Sequence, residues 1–348
     1  MERKKRDLGY PSVRFKSFVV FGLCPLFAGC GIFDLNYEPH PTERIAALRW
    51  SENASSIVAL REIPFDSASS TYWKYYVEKY DRQGSLLSSL QTNIGSAFPY
   101  HSQHIYSIAF TSDCQHLIFS DESELIIANI KDSTFHTFLP WPGSAIISPS
   151  GHIILSDTDN GSGVDGRDIW YQLTWIDSGN IRTIRQWQTH GDQSSPDILT
   201  DNMFCLPENL NGSDFFSVYD TSLTLLYREP MPPHGMRGIG YVPSLNSILV
   251  ARNWNSPELD GKVMLIDLKT GQSKYVLDWP GDMNCMYDGY HVVYAWAAVK
   301  IRNLLTGNEK NIASESPTIA LFSPDGQYVC YIPLNAATVR SVAVGSLP

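Results

Sequence analysis

Short runs of apolar or alternating residues recur along the chain, separated by clusters of Gly, Asn, Asp, Ser and Pro. This pattern predicts short antiparallel strands joined by tight turns rather than helices. Six turns each lead into the last strand of a unit: Asp81–Gly84, Lys131–Ser133, Asp177–Asn180, Asp220–Ser222, Leu268–Gly271 and Leu305–Asn308. Seven others join the first two strands of a unit: Ser51–Asn53, Ser112–Gln115, Ser148–Gly151, Thr200–Asn202, Pro243–Asn246, Asp288–Gly289 and Ser323–Gly326.

Two successive strand pairs make a unit of four strands, and seven such units follow one another. This repetition is the sequence signature of a β-propeller, in which each unit is one blade. The predicted fold is therefore all-β, a seven-bladed β-propeller of four-stranded antiparallel blades that occupies residues 45–348. The predicted blades are 45–91, 105–139, 144–188, 195–229, 237–278, 283–312 and 317–345.

One blade carries a recognisable motif. The sequence Phe322-Ser-Pro-Asp-Gly-Gln-Tyr-Val-Cys-Tyr-Ile resembles the WD40-like repeat of the Tol–Pal propeller and of prolyl oligopeptidase propellers. Ile147-Ser-Pro-Ser-Gly-His-Ile-Ile-Leu is a degenerate copy. The other blades keep only the strand and turn pattern, so the resemblance bears on architecture more than on ancestry.

The N-terminal 29 residues have the pattern of an export signal. A basic head is followed by an apolar run from Phe18 to Ala28, which Pro25 interrupts and which is too short to span a membrane. The run ends in Phe27-Ala28-Gly29-Cys30, which resembles the lipobox of bacterial lipoproteins. The alternative is an ordinary signal peptide whose cleavage site lies beside a cysteine.

The lipoprotein resemblance implies a place in the cell. Cys30 would carry a covalent lipid, and this lipid would anchor the chain to a membrane. No other cofactor is predicted. Gly31 rather than Asp follows the cysteine. In a host with two membranes this implies the outer membrane, facing the periplasm; otherwise it implies the outer leaflet of the cell membrane.

The seventh blade has sequence for only three strands before the chain reaches Pro348. An uncovered strand edge pairs readily with other segments. Residues 30–44 are therefore predicted to be either a strand that closes this blade or a lipidated tether, the reading that Pro39 and Pro41 support.

Composition and net charge limit the classes of partner that we expect this chain to bind. With 43% hydrophobic and 18% charged residues, the chain is globular. Loss of residues 1–29 removes six of 26 basic and two of 36 acidic side chains, which leaves a net charge of −14. Such a surface repels phosphate backbones, so nucleic acid is not an expected partner. Four cysteines are predicted to be mostly free and buried, although an exported protein could pair them: Cys114, Cys205, Cys285 and Cys330.

The two faces of the predicted ring differ. One, here called the turn face, carries the short turns given above. The other, the loop face, carries the connections between second and third strands and between blades. Its long segments are Arg61–Lys74, Asp157–Asp168, Pro207–Asp214 and Arg252–Lys262. Binding residues concentrate on loops held by a rigid scaffold, so the candidate ligand-binding residues are Trp73, His101, His104, Asp165, Arg167, His190, His234, Arg237, Arg252 and Trp254.

Three functions fit this surface. The first is a non-catalytic lipoprotein that binds a protein or glycan partner through the loop face. The second is a polysaccharide lyase or hydrolase with a His and acid cluster at the channel mouth, since the architecture resembles that of seven-bladed oligogalacturonate lyases, although no motif of theirs is present. The third is a structural subunit of an envelope assembly. No residue is assigned a catalytic or metal-binding role, because the histidines lack metal-site spacing and Asp157–Asp168 departs from the calcium-loop pattern.

Overall fold

The computed structural model describes residues 43–348, apart from 68–69, 93–106, 121–123, 133, 141–143, 149, 160–166, 178–179, 192–195, 232–234, 253–261, 279–282, 286–288, 296 and 335. Residues 41–348 form one compact unit. In the described part the only helical element is a three-residue 3₁₀ turn, Pro243–Leu245. No helix there is both long and apolar enough to cross a membrane.

The strands form seven antiparallel sheets, each from consecutive strands. Blade 1 contains β1 (Arg44–Trp50), β2 (Ser56–Ser67), β3 (Ser70–Asp81) and β4 (Leu86–Thr92). Blade 2 contains β5 (Ser107–Phe110), β6 (His116–Ser120), β7 (Glu124–Asn129) and β8 (Phe135–Pro140). Blade 3 contains β9 (Ser144–Ile147), β10 (Ile153–Asp159), β11 (Arg167–Asp177) and β12 (Asn180–Gly191). Blade 4 contains β13 (Asp197–Thr200), β14 (Met203–Leu210), β15 (Ser213–Asp220) and β16 (Leu225–Pro230).

The remaining three sheets follow the same order. Blade 5 contains β17 (Met236–Val242), β18 (Ser247–Arg252), β19 (Lys262–Asp267) and β20 (Ser273–Asp278). Blade 6 contains β21 (Met283–Cys285), β22 (His291–Ala295), β23 (Val299–Asn303) and β24 (Glu309–Ala313). Blade 7 contains β25 (Pro317–Phe322), β26 (Tyr328–Pro333) and β27 (Arg340–Ala343). Each sheet begins and ends within three residues of the corresponding predicted blade.

The first strands of the blades line the centre of a closed ring. Each contacts the first strand of the next blade, in the order β1, β5, β9, β13, β17, β21 and β25, and β25 contacts β1. This arrangement confirms the predicted seven-bladed propeller. Six of the sheets have the predicted four strands, and the described residues of blade 7 supply three, as its sequence predicted.

Apolar clusters hold the blades together, one at each of the seven seams between them. Burying a Leu, Ile or Phe side chain contributes about 1.5–3 kcal/mol, so each seam stabilises the contact between its two blades. Representative pairs, from the first seam round to the closure, are Leu60 with Phe110, Ile127 with Ile154, Leu173 with Phe204, Val218 with Val250, Val263 with Val292, Ile301 with Val329, and Ile57 with Cys330.

The turn between the first and second strands is the same in blades 1, 2, 3 and 7. In each, a hydroxyl oxygen accepts a hydrogen bond from the backbone N–H five residues later. The bonds run from Ser56 N to Ser51 Oγ (3.0 Å), from His116 N to Thr111 Oγ1 (3.2 Å), from Ile153 N to Ser148 Oγ (3.0 Å) and from Tyr328 N to Ser323 Oγ (3.0 Å). The fourth residue of each turn has positive φ: Ala54, Cys114, Gly151 and Gly326. The Ser-Pro-Asp-Gly motif is thus one version of a shared turn.

Three of the four cysteines that follow Cys30 in the sequence are free thiols. Cys205 and Cys330 are buried, and Cys114 is half-buried. Burial raises the pKa of the Cys114 thiol to about 11, so it is protonated at neutral pH. The side chain of Cys285 lies outside the described residues.

Candidate functional site

Two of the four predicted loops on the loop face are strand extensions. β2 and β3 have twelve residues each, and their ladder continues to the pair Ser67–Ser70. The segment Arg61–Lys74 is therefore the far end of a hairpin. The backbone ladder thus continues past the charged residues Arg61 and Glu62.

The predicted loop Pro207–Asp214 is likewise a hairpin. β14 and β15 pair as far as Leu210 and Ser213. Asn211 and Gly212 form the two-residue turn, both with positive φ, as a tight hairpin requires. The other two predicted loops have strand ends as their bounds, and 160–166 and 253–261 lie outside the described residues.

The predicted ligand-binding residues fall into three groups. His101, His104, Asp165, His234 and Trp254 lie outside the described residues. Trp73, Arg167, His190 and Arg252 lie in strands whose backbone is described, but their side chains lie outside the described part. Arg237 is described completely.

The ladders nevertheless bring some of these positions together. In blade 3, Asp168 pairs with His190, so Arg167 and His190 lie one register position apart at the loop-face end of β11 and β12. In blade 5, Met236 pairs with Arg252, so Arg237 and Arg252 are neighbours at the loop-face end of β17 and β18. Each pair belongs to its own blade, and the other histidines considered for a cluster at the channel mouth, His101, His104 and His234, lie outside the described residues.

Arg237 is held at the channel mouth by a buried acid. Its Nε donates to Asp197 Oδ1 at 3.3 Å, and the side chains of Arg237 and Asp197 are 71% and 12% exposed. Asp197 is the first residue of β13 and Arg237 the second of β17, so the bond joins the inner strands of blades 4 and 5. The carboxylate orients the guanidinium while leaving most of it open to solvent.

Gly238 makes this contact possible. Its backbone N–H donates to Asp197 Oδ2 at 2.8 Å. A Cβ atom at position 238 would collide with Cys205 Sγ and lie 2.8 Å from Leu199 Cδ2. Glycine fits at this position because the inner strands of blades 4 and 5 approach each other closely.

Asp197 has the most unusual acidity among the described carboxylates. Burial raises its pKa from the ordinary range to about 6, and the nearby Arg237 charge and the Gly238 N–H only partly offset the burial. A carboxyl group that titrates near neutral pH is often part of a functional site. Asp197 was absent from the sequence-based candidates, because nothing in a sequence places residues 197 and 237 side by side.

A second arginine at the channel mouth is held in the same way. Arg44, the first residue of β1, donates to the buried Glu62 of β2, and its side chain is 65% exposed. β1 and β17 belong to blades 1 and 5, which lie on opposite sides of a seven-bladed ring. Among the described side chains, two exposed guanidinium groups at the loop-face mouth of the channel are each oriented by a buried carboxylate, on a chain whose net charge is negative.

Other charged side chains belong to the scaffold. Four blades each contain a Tyr, a Glu and an Arg in contact, on the side that faces the preceding blade. The sets are Tyr80, Glu78 and Arg61; Tyr219, Glu208 and Arg228; Tyr294, Glu309 and Arg302; and Tyr331, Glu315 and Arg340. Within each set the side chains bind one another, so these sets are structural.

On the turn face, a serine, a histidine and an acid that are far apart in the sequence lie close together. Ser112 Oγ lies 3.3 Å from His152 Nδ1, and His152 Nε2 lies 3.9 Å from a carboxylate oxygen of Glu52. His152 Nδ1 is also 3.2 Å from the Ile176 carbonyl oxygen, an acceptor to which it must donate. A protonated Nδ1 cannot remove the Ser112 proton, and Ser112 is buried. The trio therefore lacks the arrangement of a nucleophile and its base.

The described residues contain no group of three or more His, Cys, Asp or Glu side chains positioned to hold a metal ion. Residues 160–166 of the calcium-like segment 157–168 lie outside the described part of the chain.

Comparison with known proteins bears on the fold. No protein-family model matches the sequence, and no curated protein does. The structure is similar to an acylaminoacyl peptidase from Pyrococcus horikoshii, with a TM-score of 0.56 and 11% identity over 87% of this chain; the match spans 52% of the peptidase. It is similar to an oligogalacturonate lyase from Vibrio parahaemolyticus, with a TM-score of 0.53 and 8% identity over 88% of this chain and 90% of the lyase.

A weaker likeness is to TolB from Acinetobacter baumannii, with a TM-score of 0.39 and 15% identity over 82% of this chain and 79% of TolB. At such identities the likenesses concern the fold and carry no activity to this chain.

Proposed function

We propose that this protein is a membrane-anchored lipoprotein whose propeller binds a protein or glycan partner, without catalysis, through the loop face. The observation that carries the binding proposal is the Arg237–Asp197 pair. A guanidinium that is oriented by a buried carboxylate and remains 71% exposed loses little conformational freedom on binding an acceptor group.

The surroundings of Arg237 support the same face. Arg44 repeats the arrangement across the channel, and the long β2–β3 and β14–β15 hairpins extend the same face of the ring. Arginine is enriched at the energetic centres of interfaces. Oxygen acceptors of a protein or a glycan fit two oriented guanidinium groups equally well.

The proposed membrane anchor is supported by Cys30 and by the export-signal pattern that precedes it. Acylation of Cys30 would attach the propeller to the cell envelope, at the outer membrane facing the periplasm in a host with two membranes and at the outer leaflet of the cell membrane otherwise.

In-cell photo-crosslinking tests the binding face. A photo-crosslinking amino acid replaces Trp73 or Trp254, which belong to loop-face segments, or Asp81 or Lys269, which belong to turns on the opposite face. Discrete adducts from the first two positions and none from the last two are expected. Adducts from Asp81 and Lys269 alone would show that the binding face has been misassigned.

A further inference from the structure

The net charge of the Arg237–Asp197 pair depends on a single proton. The guanidinium of Arg237 stays positively charged across the physiological pH range. The Asp197 side chain is 12% exposed, and burial raises its pKa to about 6, although Arg237 and the Gly238 N–H act in the opposite direction. The pair is therefore neutral while Asp197 is ionised, and it carries one positive charge once Asp197 is protonated.

Few other charges act on this proton. Strand β13, which begins at Asp197, packs against β9, β14 and β17. β9 contains no titratable side chain, and β17 contributes Arg237. β14 contributes Cys205 and Glu208. Burial raises the pKa of the Cys205 thiol well above its usual range, so the thiol is uncharged at neutral pH, and Glu208 is bound by side chains of its own blade. Among the described residues, Arg237 is thus the charged group in direct contact with the Asp197 carboxyl.

Protonation of Asp197 leaves Arg237 oriented. The two carboxyl oxygens have different donors, because Oδ1 accepts from Arg237 Nε at 3.3 Å and Oδ2 accepts from the Gly238 N–H at 2.8 Å. A protonated carboxyl group keeps acceptor capacity, so both contacts can persist. The proton therefore changes the charge of the site, while the exposed guanidinium keeps its direction.

The loop-face edge of blade 5 adds further positive charge. Its ladder pairs Arg252 of β18 with Lys262 of β19, and Lys262 with Asp278 of β20. Arg237 lies next to Met236, the partner of Arg252 in β17. At this edge the described positions thus bear three basic residues and one acidic residue. An anion is attracted here, although the chain as a whole has a net charge of −10.

We propose that Arg237 and Asp197 form a proton-linked binding site for a carboxylate group of the partner. The carboxylate accepts hydrogen bonds from the Arg237 guanidinium, in the planar geometry that these two groups share, and Asp197 takes up one proton from solvent. The loaded site then balances one guanidinium with one carboxylate, instead of holding two carboxylates beside one guanidinium. Asp197 acts through Arg237, as a positioning residue. This inference rests on the proposed function, because it takes the loop face as the binding face.

Calorimetric titration of the purified protein tests the site with two acidic probes, a glutamate tripeptide and a uronic acid trisaccharide. The matched controls are a glutamine tripeptide and the corresponding neutral trisaccharide. We expect an acidic probe to bind about fivefold tighter or more at about pH 5.5 than at about pH 7.5, because the proton on Asp197 removes a repelling charge. The neutral probes should bind less tightly than the acidic ones at the lower pH. Which acidic probe binds shows whether the carboxylate belongs to a peptide or to a glycan.

Three variants assign the effect to this pair. Asp197→Asn should bind the acidic probe at the higher pH about as tightly as the wild type does at the lower pH, and its affinity should not change between them. Arg237→Gln should lose the binding at both pH values. Lys269→Gln removes a positive charge from the turn face of the same blade and should behave as the wild type does. Titration in two buffers of different ionisation enthalpy should show proton uptake by the wild type as the probe binds.

A pH dependence that persists in Asp197→Asn would overturn the proposal, because it would arise from the charge of the whole chain. Failure of both acidic probes to bind at the lower pH, or binding without proton uptake, would also overturn it. Should Asp197→Asn not fold, the proton uptake of the wild type decides. Crosslinks from the loop face without binding of either acidic probe would refute this site alone. Proton-linked binding that Arg237→Gln abolishes, together with crosslinks from the turn face alone, would refute the proposed binding face for the partner and leave the carboxylate site in place.

Discussion

The indole nitrogen of Trp50 in β1 donates a hydrogen bond of 3.2 Å to the carbonyl oxygen of Leu321 in β25. This bond joins the first blade to the last, across 271 residues of sequence. Arg82 adds an ion pair to Asp325 and stacks over the Tyr328 ring at 4.4 Å. The described part of the ring is thus closed by side chains, since no described strand crosses from one blade to the other.

Trp50→Phe tests this closure. The substitution keeps an aromatic ring in the seam but removes the donor to Leu321, and a net loss of about 1–2 kcal/mol in the free energy of unfolding is expected. Trp170→Phe is the control, because Trp170 is 41% exposed and its replacement should cost within about 0.5 kcal/mol. Equal losses in urea unfolding of the two variants would show that the Trp50 bond does not stabilise the ring.

Asp197 makes stability depend on pH in a direction opposite to that of most carboxylates. Its folded-state pKa of about 6 exceeds the unfolded value, so the folded state binds the proton more tightly. The resulting stabilisation is present below the unfolded pKa and is lost as the pH rises through about 6. Two pKa units correspond to about 3 kcal/mol.

Asp197→Asn removes this titration while keeping an acceptor for the Gly238 N–H. The wild type should therefore lose stability relative to the variant between pH 4 and pH 7, by about 3 kcal/mol at most. Urea unfolding of both proteins across this range measures the difference. A stability difference independent of pH would place the pKa of Asp197 in its ordinary range.

Gly238→Ala should destabilise the seam between blades 4 and 5. The added methyl group meets Cys205 Sγ and Leu199 Cδ2, and overpacking of this kind costs about 1–3 kcal/mol. The double variant Gly238→Ala, Cys205→Ala makes room beside the new methyl group, so it should cost less than the sum of the two single variants. Strictly additive losses in thermal unfolding would contradict the close approach at Gly238.

Cys30→Ser tests the proposed anchor. The wild type should fractionate with membranes and carry a lipid on Cys30 in mass spectrometry, and the variant should be released or remain uncleaved. Wild-type protein that carries no lipid, together with unchanged fractionation of the variant, would remove the anchor and the proposed location with it.

The blades could be predicted because their turns and alternation are local properties of the sequence. The shared turn was harder to recognise in blades 1 and 2, where Ala54 and Cys114 occupy the positive-φ position that Gly326 fills in blade 7. There the hydroxyls of Ser51 and Thr111 still hold the turn. The same hydrogen bond therefore forms whether or not glycine occupies the positive-φ position.

The site was less predictable, because it depends on contacts between blades. Arg237 could be chosen from its place before an inner strand, but its partner Asp197 is 40 residues away in sequence. The segment Arg61–Lys74 was predicted as a long loop, although Pro64 pairs with Trp73 within a continuous ladder. Polarity alone does not separate a loop from a hairpin that extends into solvent.

The face that binds the partner is tested most directly by two charge-neutralising substitutions in the same blade. Arg237 lies at the loop-face end of blade 5, and Lys269 lies in an exposed turn at its other end. The readout is the adduct formed by a photo-crosslinking residue in place of Trp254. The account predicts that Arg237→Gln lowers the adduct yield about fivefold or more, as the loss of an interface arginine would, while Lys269→Gln leaves it unchanged. Loss of the adduct with Lys269→Gln and its retention with Arg237→Gln would contradict the account.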